Sequence, residues 1–268
     1  MNTFNLNRFG HLLRYTILYN KSKLVNTTIG YFIFFSIVYL LSTGLLFSPD
    51  YLDRMDTAAG ITVGTFLGFI IFIPSWILAN MRNKQSTIDY LMLPASALEK
   101  YLARMLFVTV MLIVCFAIAV ICADVFQWLV SLTKYPISQT SFVIGRIFEE
   151  EEKFINISGM GPIDVRLVAA NIYINFILLH SIYTLGGTLF RKRAWVFSSL
   201  LMIILVFIFM YVVSGLDGEE ISSWVTNNIN ALLIILTCLA AIFASLNYYL
   251  SFRIFKNIQV INNKWINI

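Results

Sequence analysis

The chain has 268 residues, 59% of them hydrophobic and only 12% charged, with a mean hydropathy of +0.80. A soluble domain carries roughly 25% charged residues, so this composition excludes an aqueous globular protein and puts the chain in a membrane. The net charge of +5 raises the question of a nucleic-acid partner, which the placement of the charges answers below.

The first 25 residues read as a basic amphipathic helix. On a helical wheel Leu6, Phe9, Leu13 and Ile17 share one sector, and Asn7, His11, Arg14 and Lys21 share another. A helix of this kind lies in the membrane interface on the cytoplasmic side. A soluble cytosolic helix is the alternative, disfavoured because the first apolar run follows within a few residues. That run lacks a small-residue cleavage site and is read as a retained span.

Six stretches meet the roughly 20 apolar residues needed to cross a bilayer: about 28–47, 60–80, 105–132, 167–190, 195–215 and 230–251. They are continuously apolar rather than alternating, which predicts an all-α membrane protein and not a barrel. The second carries Gly60, Gly64 and Gly68 at four-residue spacing, a face that lets another helix approach closely. Packing within the chain is the first reading of that face, and a subunit interface the second. Pro74 is predicted to kink the same span. In the sixth, Ala240/Ala244 and Ala241/Ser245 form a milder small-residue pattern.

The connecting segments sort by charge. Fourteen of the 19 basic residues fall in the N-terminal segment, in 82–104, in Arg191-Lys192-Arg193 and in the 252–268 tail, against only Asp89 and Glu99. The other connections, including a long outer loop at 133–166, hold the remaining acids, apart from Asp124 at the outer end of span three. Short loops rich in Lys and Arg stay cytoplasmic, which predicts both termini inside. The basic charge is thus a topology signal, and no nucleic-acid partner is expected. Membrane lipids are.

Within the spans, ionisable groups are the functional suspects. His180 and Asp124 are the candidates for a polar pathway; His180 is expected to hydrogen-bond a neighbouring helix and Asp124 to reach the outer interface near Trp128. With two histidines in the chain, and Cys115, Cys122 and Cys238 all in apolar runs without metal-ligand spacing, neither metal nor cofactor is expected. The cysteines read as small buried hydrophobes. There is no HExxH, no GxSxG and no GxxxxGK[ST], so the chain is not expected to be an enzyme, and any ATP hydrolysis belongs to a partner.

The stretch NKQSTIDYLMLPASALEKYLARML (83–106) stands out between two spans. Residues 86–93 predict two helical turns capped by Ser86 or Thr87, with Asp89 in the first turn. Pro94 ends that piece, and Ser96 with Glu99 forms a capping box for a helix running into span three. A short rigid helix joined stiffly to a membrane helix has the form of a lever on that span.

This stretch resembles the cytoplasmic loop between spans two and three of ABC-2-type transporter permeases, in a Bacteroidetes-like version. The amphipathic N-terminal helix and six spans with both ends inside are also similar. The resemblance implies a bacterial inner-membrane permease subunit of an ATP-driven exporter. It implies a coupling helix at 86–96 that docks on a separate ABC ATPase subunit through Asp89, Tyr90, Leu91, Leu93, Pro94 and Ser96. It also implies pairing of permeases as a homodimer or heterodimer. Ahead of the coupling helix the family often has an acidic residue and a glycine, where this chain has Arg82-Asn83-Lys84-Gln85-Ser86. Its larger outer element commonly lies between spans five and six. The alternative function is a non-transporting membrane interaction, assembly or immunity protein with a permease-like fold.

Overall fold

The computed structural model describes residues 4–43, 55–81, 84–136, 140–147, 165–190, 193–214 and 218–258. These are helical almost throughout: α1 (Leu6–Tyr19), α2 (Lys21–Ser42), α3 (Met55–Phe72), α4 (Lys84–Leu91), α5 (Ala97–Leu106), α6 (Leu112–Ser131), α7 (143–147), α8 (Val165–Leu189), α9 (Ala194–Ser214) and α10 (Gly218–Lys256). Two 3₁₀ turns, Ile73–Trp76 and Ala79–Met81, follow α3, and one π-helical turn, Phe107–Met111, joins α5 to α6.

Among the described residues, five helices are long and apolar enough to cross a membrane: Lys21–Ser42, Met55–Trp76, Ala97–Ser131, Arg166–Leu189 and Asn228–Lys256. A shorter apolar stretch, Ala194–Ile208 within α9, would make a sixth. The faces they turn outward are oily. On α2, Val25, Ile29, Ile33, Ile37 and Leu41 form an exposed ridge, each more than half accessible. Water-soluble proteins do not leave apolar area of this extent uncovered, so the chain is a multi-pass membrane protein.

Several boundaries differ from those the sequence suggests. The amphipathic helix is shorter than 1–25, and the helix of span one begins at Lys21 rather than near 28. The break falls at Asn20, where φ is −102° and ψ 11°; its side-chain amide turns back to donate to the Thr16 carbonyl at 2.7 Å. Span two starts at Met55, and Pro74 ends the helix into a 3₁₀ turn instead of kinking a continuous one, since proline lacks the N–H that the next turn needs. Span six extends to Gly218 with a bend at Asn228. Of the outer loop at 133–166, only 133–136, 140–147 and 165–166 are described.

The chain divides into two compact units. One comprises Arg14–Ile70 and Thr109–Gly159. Its core is aromatic: Phe116 on α6 meets Tyr31, Phe35, Phe66 and Phe69 with ring centroids 5.2–5.8 Å apart, and the Tyr39 hydroxyl lies 2.9 Å from Thr62 Oγ1. The other comprises Met1–Leu13, Ile71–Val108 and Met160–Ile268. Here α8 packs along α10 on the buried small pair Ala240 and Ala244. Polar contacts run the length of this pair: Asn171 to Thr237 at 3.2 Å, His180 to Tyr248 at 2.8 Å, Asn247 to Ser181 at 3.1 Å and Thr188 to Ser251 at 3.1 Å. In lipid such bonds hold helices together where no hydrophobic force can.

The glycines that allow close approach are not the predicted ones. A Cβ built on Gly60, Gly64 or Gly68 meets no described atom within 4 Å. On Gly187 of α8 it would stand 2.8 Å from the Pro74 carbonyl oxygen and from Ser75 Cα and O. The proline break in span two and Gly187 in span four thus form one joint. Gly64→Leu is expected to leave the melting temperature of the single chain within about 2 °C of wild type, because exposed substitutions change stability by roughly 0.5 kcal/mol or less. A thermal melt of the monomer fraction checks this.

Candidate functional site

The candidate site is the α4–α5 segment, built from a break and a cap. After α4 ends at Leu91, Pro94 prevents its continuation, and Ser96 opens α5 with the expected capping box. The Ser96 hydroxyl accepts from Glu99 N at 3.3 Å, and the Glu99 carboxylate accepts from Ser96 N at 2.8 Å. The start of α4 differs from expectation: it begins at Lys84, so Ser86 and Thr87 are interior and Asp89 is not in the first turn. Thr87 donates instead to the Met81 carbonyl at 2.9 Å.

Three contacts pin α4 to α5. The Tyr90 hydroxyl donates to the Lys100 carbonyl at 2.6 Å, and Lys100 Nζ donates to the Leu91 carbonyl at 2.6 Å. Arg104 lies over the Tyr90 ring, 5.3 Å from its centroid. A cation at the last carbonyls of a helix satisfies groups the helix leaves open and opposes its dipole. Burial raises the Tyr90 pKa, with Arg104 opposing, and burial lowers that of Lys100, with Glu99 opposing.

Glu99 carries more than the capping box. Its carboxylate, fully buried, also accepts from Asn5 N at 2.8 Å, from Arg8 Nε at 2.7 Å and from Arg8 Nη2 at 2.5 Å. One acid therefore closes the N-terminus of α5 and holds the head of α1 on it. The Arg8 hydrogen bond is the main cause that keeps this carboxyl down to about 2, with burial opposing and the two backbone amides assisting.

Beneath α4, Tyr90 and Leu91 pack against the buried cluster of Ile77, Leu78, Met81, Tyr101 and Phe255. Tyr101 then donates to Ser251 Oγ at 3.0 Å, and Ser251 in turn accepts from Thr188. The outward face of α4 is Gln85, Ile88 and Asp89, and Met92, the next residue after the helix, continues the i, i+3, i+4, i+7 stripe. Gln85 donates to Asp89 at 2.9 Å, and Met92 is 80% exposed.

The six residues that the resemblance assigned to docking therefore divide. Asp89 and Pro94 are exposed, Tyr90, Leu91 and Leu93 are half-buried, and Ser96 is buried as the cap. Ile88 and Met92 were missing from that set, and the helical stripe through Asp89 is the signal that finds them.

The two polar-pathway candidates are each engaged within their own unit. His180 Nδ1 lies 2.8 Å from the Tyr248 hydroxyl and Thr184 Oγ1 donates to the His180 carbonyl, the helix–helix bond expected of it. Asp124 is buried and accepts from Val143 N at 2.8 Å and Ile144 N at 3.0 Å. It caps α7, whose preceding residue Phe142 stacks on Trp128. Of the cysteines, Cys115 is buried, whereas Cys122 and Cys238 are exposed on helix faces. Among the described residues no group of three His, Cys, Asp or Glu side chains could hold a metal. Comparisons with protein-family models, with curated proteins and with solved structures give no match to this chain.

Proposed function

We propose that the chain is the membrane-spanning permease subunit of an ATP-driven exporter of the ABC type, with six spans, both termini in the cytoplasm, and a separate ATPase subunit docking on α4. The observation that carries this reading is the α4 platform. A helix of eight residues, too short to be stable alone in water, is fixed by Tyr90, Lys100 and Arg104 while its apolar side chains Ile88 and Met92 face outward. A rigid helix presenting aliphatic anchors suits the groove of a partner.

The α4–α5 segment has a second attachment besides the lever on span three. The α4–α5 segment lies in the Ile71–Val108 stretch of its unit, which closes inside the π-helical turn. Its firm attachments are Tyr101 to Ser251 and Ser251 to Thr188, on α10 and α8. A partner moving α4 would therefore act also on the α8–α10 pair. The uncovered face of Gly60, Gly64 and Gly68 is the surface this reading gives to a second permease chain.

Ile88→Asp with Met92→Asp should release the ATPase. Interface anchors of this kind cost about 2 kcal/mol or more each when lost, roughly 30-fold in affinity. Co-purification from membranes measures it. Retention of the ATPase by this variant would refute docking on α4. If no ATPase accompanies the wild-type chain, the non-transporting interaction protein becomes the better reading. Tyr90→Ala and Leu91→Ala are unsuitable tests, because both side chains pack inward.

A further inference from the structure

We infer that the junction of α1 and α2 is a binding site for one anionic lipid, with Arg14 and Lys21 taking its phosphate headgroup and the α2 ridge taking its acyl chains. Charge is the first ground. The first acidic residue of the chain is Asp50, whereas Arg14, Lys21 and Lys23 cluster at this junction. Arg14 and Lys21 are both exposed, and no acid stands on α1 or α2 to neutralise them.

Geometry is the second ground. The two helices meet at Asn20, where α1 closes with Asn20 N to Thr16 O at 3.3 Å and α2 opens with Leu24 N to Asn20 O at 3.0 Å. Thr16 and Asn20 are buried at this junction, while Arg14, Leu18, Lys21 and Val25 on its two sides are all exposed. Tyr15 and Tyr19 stack at 5.8 Å with 25° between their planes, both exposed. Tyrosine is the residue of the headgroup level, apolar in body and polar at the tip.

The third ground is continuity. From Val25 the exposed ridge runs on through Ile29, Ile33, Ile37 and Leu41, a path for an acyl chain directly below the cations. A soluble anion would use the cations and leave the ridge empty; a lipid uses both. The site needs only that α2 crosses the membrane, and stands apart from any ATPase partner.

The test is native mass spectrometry of the purified full-length chain, offered phosphatidylglycerol and phosphatidylcholine of identical acyl chains. Each cation near an anionic headgroup is expected to contribute about five-fold, so the pair should favour phosphatidylglycerol by about 30-fold. Arg14→Gln with Lys21→Gln should bring the two lipids near parity, while the charge-keeping Arg14→Lys with Lys21→Arg should retain the preference. Circular dichroism confirms that each variant keeps its helix content. Equal retention of both lipids by the wild type, or full preference in the double Gln variant, would overturn the inference. So would loss of the preference on adding excess inorganic phosphate, which would show an anion site without lipid selectivity.

Discussion

Gly187→Leu is expected to prevent recovery of a folded chain, and Gly187→Ala to lower its melting temperature by about 10 °C. Even the first added carbon would stand 2.8 Å from three backbone atoms of the Pro74–Ser75 turn. Backbone on both sides leaves no flexible group to give way. Overpacking a core costs about 1–3 kcal/mol where side chains can adjust, and more is expected here. For a chain of this size each kcal/mol lowers the melting temperature by roughly 2–4 °C. Gly186 supplies the internal control. Its added Cβ would meet the Ser198 side chain, a rotatable hydroxyl and the Ser198 Cβ at 3.0 Å, so Gly186→Ala should cost less. A Gly187→Ala melt within about 2 °C of wild type would show that α8 does not rest on this turn.

Glu99→Ala should free the head of α1. One buried carboxylate accepts from Asn5 N, from two nitrogens of Arg8 and from Ser96 N, and no neighbouring acid replaces it. Bonds to a charged acceptor are the stronger kind, so amide exchange over residues 6–13 should accelerate by about tenfold or more. The wild type carries a matching pH signature. The folded carboxyl is held down to about 2 from an ordinary value of 4.5. A depressed pKa means stabilisation that is complete above the unfolded value and lost as pH falls from about 4.5 toward 2. Exchange of α1, corrected for its intrinsic rate, should therefore be flat between pH 7 and 5 and rise below about 4.5. In Glu99→Gln that rise should disappear. An unchanged profile in the variant would assign the step to other groups.

Much of the fold was readable in the sequence because it is local. A run of apolar residues declares a span without reference to anything else, and Ser96 with Glu99 declares a helix start within four residues. The boundary errors, at Asn20 and Lys84, are local; the errors of role are non-local. The role of Asp124 depends on backbone amides 19 and 20 residues away, in a loop without periodicity. Gly187 matters because of a proline in another span, and nothing in the spacing of Gly186 and Gly187 points to Pro74. The face of α4 was misassigned for the same reason. Tyr90 and Leu91 look like anchors when the helix is considered alone, but their partners Lys100, Met81 and Phe255 turn them inward. Glu99 was legible as a cap and illegible as the holder of α1, since Arg8 lies 91 residues away.

Sequence pattern and structure meet on α4. Asp89 and Pro94 remain outward, Ile88 and Met92 join them, and the segment is anchored to α10 through Tyr101 and Ser251. A photo-crosslinking amino acid placed at Met92 in the full chain, activated in intact cells, tests the docking claim most directly. The account predicts a covalent adduct with a protein carrying a Walker-type nucleotide-binding sequence, and no such adduct from the same group placed at Tyr90. Membrane-inserted chain at wild-type level with no ATPase adduct at Met92, or an equal adduct from Tyr90, would contradict it.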